Sequence, residues 1–285
     1  MSDPFIGFLI GFDFLPTIRD KGEPDYLTKY REEFETIQKG IKFTSLSDTL
    51  LRPINDEDNK KIEKFLPKSV INGELPVSRV GKFVLESPEP ILDQIITSFR
   101  IIKKGDVRLS HIVRSKILIH YPLPFVSAST KGLMYNFNFN ELLELETIAS
   151  NIIRYDKIDD EQYNRLRTAL TWFNKSYEEH YGRIQFNRLI DLVICSEALF
   201  LDNKGYRNAG PIIGIACSLL IGKDFYERNK IKKAFENAYF IRNKEVHGGN
   251  ISKENPEIRK ILKDMNTFNE EISSYLRSSL RKLLS

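Results

Sequence analysis

The spacing of apolar residues changes character near residue 140. Upstream, prolines and glycines cut the chain into short pieces. FIGFLIGFDF, KFVLES and SKILIHYPL carry the β-branched and aromatic residues of strands. DYLTKYREEFETIQKG and EPILDQIITSFRIIKKG have helical spacing, and each closes on a glycine after a lysine. Downstream the period is helical. DDEQYNRLRTALTWFNKSYEEHYG opens on Asp159 with Gln162 three places on, the spacing of a capping box. RIQFNRLIDLVICSEALFLDN is apolar around most of its circumference, which predicts a central, buried helix. GPIIGIACSLLIG is bracketed by a first-turn proline and a terminal glycine. In NPEIRKILKDMNTFNEEISSYLRSSLRKLL, one stripe holds Ile258, Ile261, Met265, Phe268, Ile272, Tyr275 and Leu283. The pattern predicts an α+β chain, with a mixed α/β N-terminal region over residues 1–150 and an all-α antiparallel bundle over residues 151–285.

One helical stretch, YERNKIKKAFENAYFIRNKEVHGG, breaks its own pattern. At about 100° per residue, Ile231, Phe235, Ala238 and Arg242 share one side. A guanidinium in the middle of an apolar stripe costs several kcal/mol, on the order of a lost buried ion pair, unless something anionic or wet meets it. Glu245, three residues on, is one candidate. The central helix offers another, because Phe186, Ile190, Val193 and Glu197 share its apolar face. Two opposite charges turned inward on two helices also make a structural ion pair. His247 stands about 140° from Arg242 and directly above Asn243, four residues earlier. The helix dipole favours a charged imidazole in this last turn, and Arg242 opposes it. Such a balance suits acid–base work near neutral pH. A histidine there also serves as a cap, and the residues alone leave both roles open. Gly248 and Gly249 are placed to end the helix in a left-handed turn.

Composition adds little to this. The net charge of +4 is mild, but it is not evenly spread. Residues 1–154 carry 21 basic and 21 acidic side chains, whereas residues 155–285 carry 22 and 18, a lean toward a polyanion in the C-terminal part. Cys195 and Cys217 lie in apolar segments, outside any metal-ligand spacing. They read as core thiols in a reducing cytoplasm, with no structural zinc. No apolar run is long enough for a membrane span, and the opening MSDPFIGFLIGFDF lacks the basic start of a secretory signal. GFLIGF lacks the lysine of a phosphate-binding loop. His111, His120 and His180 stand away from other ligand types, DEDNKK and DKIDDE read as solvated loop and cap, and Trp172 and Phe173 read as core.

RLIDLVICSEALFLDN, GIACSLLIG and ENAYFIRNKEVHGG together resemble the Apea-like branch of the HEPN domain, over roughly residues 155–285. That family's signature is an arginine, a short spacer and a histidine at a helix end. Here it reads Arg242 to His247, with the polar Asn243 after the arginine, as active members favour. PEPILDQIITSFRIIKKGDVRL also resembles the N-terminal regions that accompany such domains. Ala216-Cys217-Ser218 depart from the pattern, since relatives often carry a basic residue before LLG. The resemblance implies a HEPN helical bundle and a metal-independent endoribonuclease without cofactor. It would cut single-stranded RNA to 2′,3′-cyclic phosphate and 5′-hydroxyl ends. Arg242, Asn243 and His247 would be catalytic, with Glu197 and Glu245 in support. It further implies a homodimer with a composite site, no membrane association, and a role as a toxin, antiviral defence effector or processing enzyme under an unidentified regulator. Two other expectations stand beside it: a HEPN protein that binds RNA or a nucleotide without cutting, and a structural bundle.

Overall fold

A computed structural model of the chain describes residues 5–10, 12–14, 41–43, 46, 49–53, 55–63, 83–87, 90–105, 107–114, 117–120, 135–177, 184–202, 208–248 and 256–285. The helix expected over residues 25–40, His180 and Gly249 lie outside the described residues. The chain divides into two compact units, Met1–Ile153 and Arg154–Ser285. Strands and helices occupy the first and helices the second, so the α+β class holds.

In the first unit, the described strands are β1 (Phe5–Ile10), β2 (Phe12–Phe14), β3 (Ile41–Lys42), β4 (Leu50–Pro53), β5 (Phe83–Ser87), β6 (Arg108–Arg114), β7 (Ile117–His120) and β8 (Tyr135–Phe137). Six of them form an antiparallel sheet in the order β3-β4-β5-β1-β6-β7. FIGFLIGFDF is therefore two strands, and its second half, β2, pairs in parallel with β8 instead. A register shift between Phe8 and Leu9 marks a bulge where β1 meets β6. The β6–β7 register sets His111 opposite His120, a pairing the sequence spacing did not disclose. DEDNKK is not a loop: it forms helix α1 (Asp56–Glu63). Its start is a reciprocal cap in which the Asp58 N–H donates to Asn55 Oδ1 at 2.9 Å and the Asn55 N–H to Asp58 Oδ2 at 3.0 Å. Arg52 on β4 closes onto both Asp58 and Glu86 of β5, with Nη2 donating at 3.0 and 2.9 Å. Helix α2 (Leu92–Ile102) buries Ile95, Ile96 and Phe99, and Phe99 meets Phe137 edge-on at 5.9 Å. Helix α3 (Leu142–Asp156) runs through the division between the units.

The second unit contains α4 (Glu161–Lys175), α5 (Ile184–Phe200), α6 (Ala209–Ile221), α7 (Phe225–Val246), α8 (Pro256–Lys263) and α9 (Met265–Leu284). This is the helical bundle that the apolar period announced. Helix α5 packs against α4, α7 and α9, as its nearly all-round apolar surface requires. Three helices begin on aspartates whose carboxylates accept backbone N–H groups: Asp160 from Gln162 at 2.8 Å, Asp224 from Glu227 at 2.8 Å and Asp264 from Thr267 at 3.1 Å. The α4 cap is thus Asp160 rather than Asp159. Asp264 also interrupts the last stretch, which is two helices and not one. Past that break Met265, Phe268 and Ile272 are buried as expected, and Leu276, Leu280 and Leu284 continue that side, while Leu283 is 45 % exposed. Phe173 is fully buried, and Trp172 is half-buried beneath Lys175 Nζ at 4.2 Å. Cys195 and Cys217 are buried, unbridged thiols, and burial pushes the Cys217 thiol up to about 12. Among the described residues, no helix is long and apolar enough to cross a membrane.

The α6–α7 pairing is the tightest in the bundle because α6 meets α7 through glycines. A Cβ on Gly214 would lie 2.7 Å from the Lys232 carbonyl oxygen, and one on Gly210 would lie 2.9 Å from Tyr239 Cβ. Gly222 ends α6 in an extended conformation, not a left-handed one. Its lack of a side chain admits Arg228, whose Cγ would stand 2.6 Å from a Cβ there.

Candidate functional site

Helix α7 is 22 residues long and delivers the Arg242–His247 segment to one end of the bundle. Ile231, Ala234, Phe235, Ala238 and Ile241 are buried along one side, and Arg242 sits at its edge with 22 % of its side chain exposed. The guanidinium turns toward α5, where Nη2 lies 3.6 Å from Glu197 Oε2. Of the two carboxylates expected to meet it, Glu197 makes the ion pair across helices. At 3.6 Å the contact is longer than a charge-assisted hydrogen bond. Nη1 donates to Asn243 Oδ1 at 3.0 Å. Nε is buried and has no hydrogen-bond partner among the described residues. The guanidinium carbon also stands 5.8 Å from the Tyr239 ring centre.

Glu197 is squeezed between opposing influences. Burial raises its pKa, while Arg242 and a hydrogen bond from Tyr239 lower it, and burial prevails. Tyr239 is the member of this cluster that sequence spacing missed. It is held there by α6, whose Gly210 leaves room for the tyrosine side chain.

His247 is the C-cap of α7 and is exposed. Its backbone N–H donates to Asn243 O at 3.0 Å, which keeps the helical connection between them. The Asn243 amide oxygen is taken by Arg242, so its side chain turns to the arginine. Among the described residues, no hydrogen bond or ion pair engages the imidazole. Gly248 follows with φ +68°, the left-handed turn expected of a glycine after the cap. Glu245 lies half-buried in the same last turn. Arg242 and His247 therefore occupy one helix end but project about 140° apart on an α-helical wheel. Arg242 flanks α5, and His247 faces out. Among the described residues, no three His, Cys, Asp or Glu side chains gather as a metal ion would need.

No family model, curated protein or solved structure matches this chain.

Proposed function

We propose that the chain is a metal-independent endoribonuclease of the HEPN type, acting on single-stranded RNA. The observation that carries this reading is the end of α7. A half-buried guanidinium with an unmet Nε stands beside Asn243, five residues before an exposed histidine. In the reaction the RNA 2′-hydroxyl oxygen bonds to phosphorus as the bond to the 5′-oxygen breaks. His247 takes the 2′-proton, and an imidazolium returns a proton to the departing 5′-oxygen. Arg242 meets the charge that builds on the phosphorane oxygens. Its contact with Glu197 is long enough for a phosphate to compete. Asn243 Oδ1 steadies Arg242, which leaves Nδ2 to donate to a phosphate oxygen. The products are a 2′,3′-cyclic phosphate and a 5′-hydroxyl. The divergence of Arg242 and His247 on one helix favours a homodimer, in which two copies of the segment close one cleft. A toxin or antiviral defence effector is the role such cutting would serve.

A second reading rests on a specific feature. The guanidinium already has Glu197 and Asn243, and no described group fixes the imidazole tautomer. That arrangement suits a HEPN protein that binds RNA or a nucleotide without cutting. The two readings separate in one assay. The enzyme cuts single-stranded RNA in EDTA and leaves cyclic-phosphate ends. His247→Ala and Arg242→Ala then each slow cutting by about a hundredfold or more, with unchanged circular dichroism. Wild type that binds RNA yet never cuts it under any metal condition supports the second reading. If Arg242→Ala unfolds the chain while His247→Ala cuts normally, the arginine is structural.

A further inference from the structure

Tyr239 lies one turn before Arg242 on α7, so the two side chains share a flank of the helix. Three contacts fix the tyrosine. Gly210 of α6 leaves room for its Cβ, which would stand 2.9 Å from a Cβ on that glycine. Its ring centre is 5.8 Å from the Arg242 guanidinium carbon, within the range of a cation–π contact. Its hydroxyl donates to the Glu197 carboxylate on α5. Glu197 therefore faces two donors on consecutive turns of one helix, a neutral phenol and a charged guanidinium. The phenol makes a hydrogen bond, whereas Nη2 of the guanidinium stops at 3.6 Å. That order is the reverse of what charge alone dictates. A charge-assisted bond between guanidinium and carboxylate closes to about 2.7–2.9 Å and is roughly twice as strong as a neutral one.

A half-buried carboxylate with a guanidinium in reach closes on it unless another donor holds it back. Tyr239 is that donor. The phenol satisfies Glu197 without neutralising it, and the guanidinium is left loosely held, with Nε unmet and Nη2 short of a hydrogen bond to the carboxylate. A phosphate arriving at Arg242 then has no formed charge-assisted bond to break. We propose that Tyr239 is a positioning residue for Arg242: by holding the Glu197 carboxylate off the guanidinium, it keeps that cation open to an RNA phosphate. The proposal rests on the ribonuclease reading for the identity of the anion and gives the tyrosine no contact with the strand.

The test is a double-mutant cycle on the full chain, read by anisotropy with a fluorescent 2′-O-methyl RNA single strand, which lacks the attacking hydroxyl and stays intact. Tyr239→Phe keeps the ring against Gly210 and Arg242 and removes only the hydroxyl. The freed carboxylate closes on Arg242, and the strand should bind about tenfold more weakly, the cost of breaking one charge-assisted bond. Glu197→Gln removes the competing charge, so in that background Tyr239→Phe should change nothing. With native RNA the defect should raise KM and leave kcat in place, because the carboxylate is displaced before substrate and transition state alike. Equal binding by wild type and Tyr239→Phe, in a protein that cuts RNA, overturns the positioning role and leaves the ribonuclease reading intact. A defect that persists beside Glu197→Gln overturns it too, because the hydroxyl then acts on the strand or on packing. Should the cycle close as expected while native RNA is never cut, the positioning role stands and the ribonuclease reading falls. A wild-type chain that binds no single strand overturns both.

Discussion

Arg242 and Glu197 are held out of water by the same packing, and the two feel it differently. The guanidinium keeps its charge at every accessible pH. The carboxylate does not, and burial raises its pKa above the ordinary 4.5 despite the arginine. Between its unfolded and folded values the native chain binds the extra proton, so stability falls as pH rises through that window. Glu197→Gln removes this titration. Urea denaturation should therefore show the variant gaining on wild type as pH goes from below 4.5 to neutral. A gap that stays constant over that range would mean that folding leaves the carboxylate's pKa unshifted. The sequence located both residues, because a charged position on an apolar wheel is visible without a fold. It left Glu197 and Glu245 equal, since choosing between them needs the approach of α5 to α7. Tyr239 was out of reach for the same reason: its place in the cluster is set by a glycine 29 positions away in the chain.

At the scale of elements, local chemistry was legible and pairing was not. The glycine turn at Gly248 and the apolar period of α5 and α9 are written in a few consecutive residues, whereas the caps at Asp224 and Asp264 went unread. Errors of one position, such as Asp159 for Asp160, arise where two acids compete for one cap. DEDNKK looked like a loop because its residues are polar, yet the Asn55–Asp58 cap and Arg52 stabilise it as a helix. The sheet order, with β1 central and β2 in a different sheet, depends on long-range register that no spacing rule contains. The glycines of α6 belong to this class too. In the sequence they frame an apolar helix, and in the fold they are the contact surface. Gly214→Ala would drive a methyl group to 2.7 Å from the backbone oxygen of Lys232, an atom that cannot swing aside. A loss of about 1–3 kcal/mol in urea denaturation is expected from such overpacking. A neutral substitution would show that α6 and α7 separate easily.

At the scale of the whole molecule, the two compact units predict that unfolding is not a single transition. Phe235 is 1 % exposed and belongs to the second unit alone. Phe235→Ala should cost about 3–5 kcal/mol and lower only one of two calorimetric transitions. If both move together, the units unfold as one.

Assembly decides whether the α7 end can act as a pair of reacting groups. On one chain, Arg242 leans to α5 and His247 faces outward, so a phosphate held by the first is not presented to the second by the same helix. Two copies facing each other would supply what one lacks. Arg242→Ala and His247→Ala chains, each inactive by itself, should then recover cutting when unfolded together and refolded as a mixture, because mixed dimers keep one arginine and one histidine in the shared cleft. Light scattering should report twice the 33.2 kDa of the single chain in the active fractions. Recovery also distinguishes a catalytic pair from a structural one, since a variant that merely misfolds contributes nothing to its partner. A mixture no more active than its components, in a protein that remains at 33.2 kDa, would place the whole reaction on one chain or nowhere. In that case the Glu197 contact, and not a second copy, is what the apolar stripe evolved around Arg242 to hold.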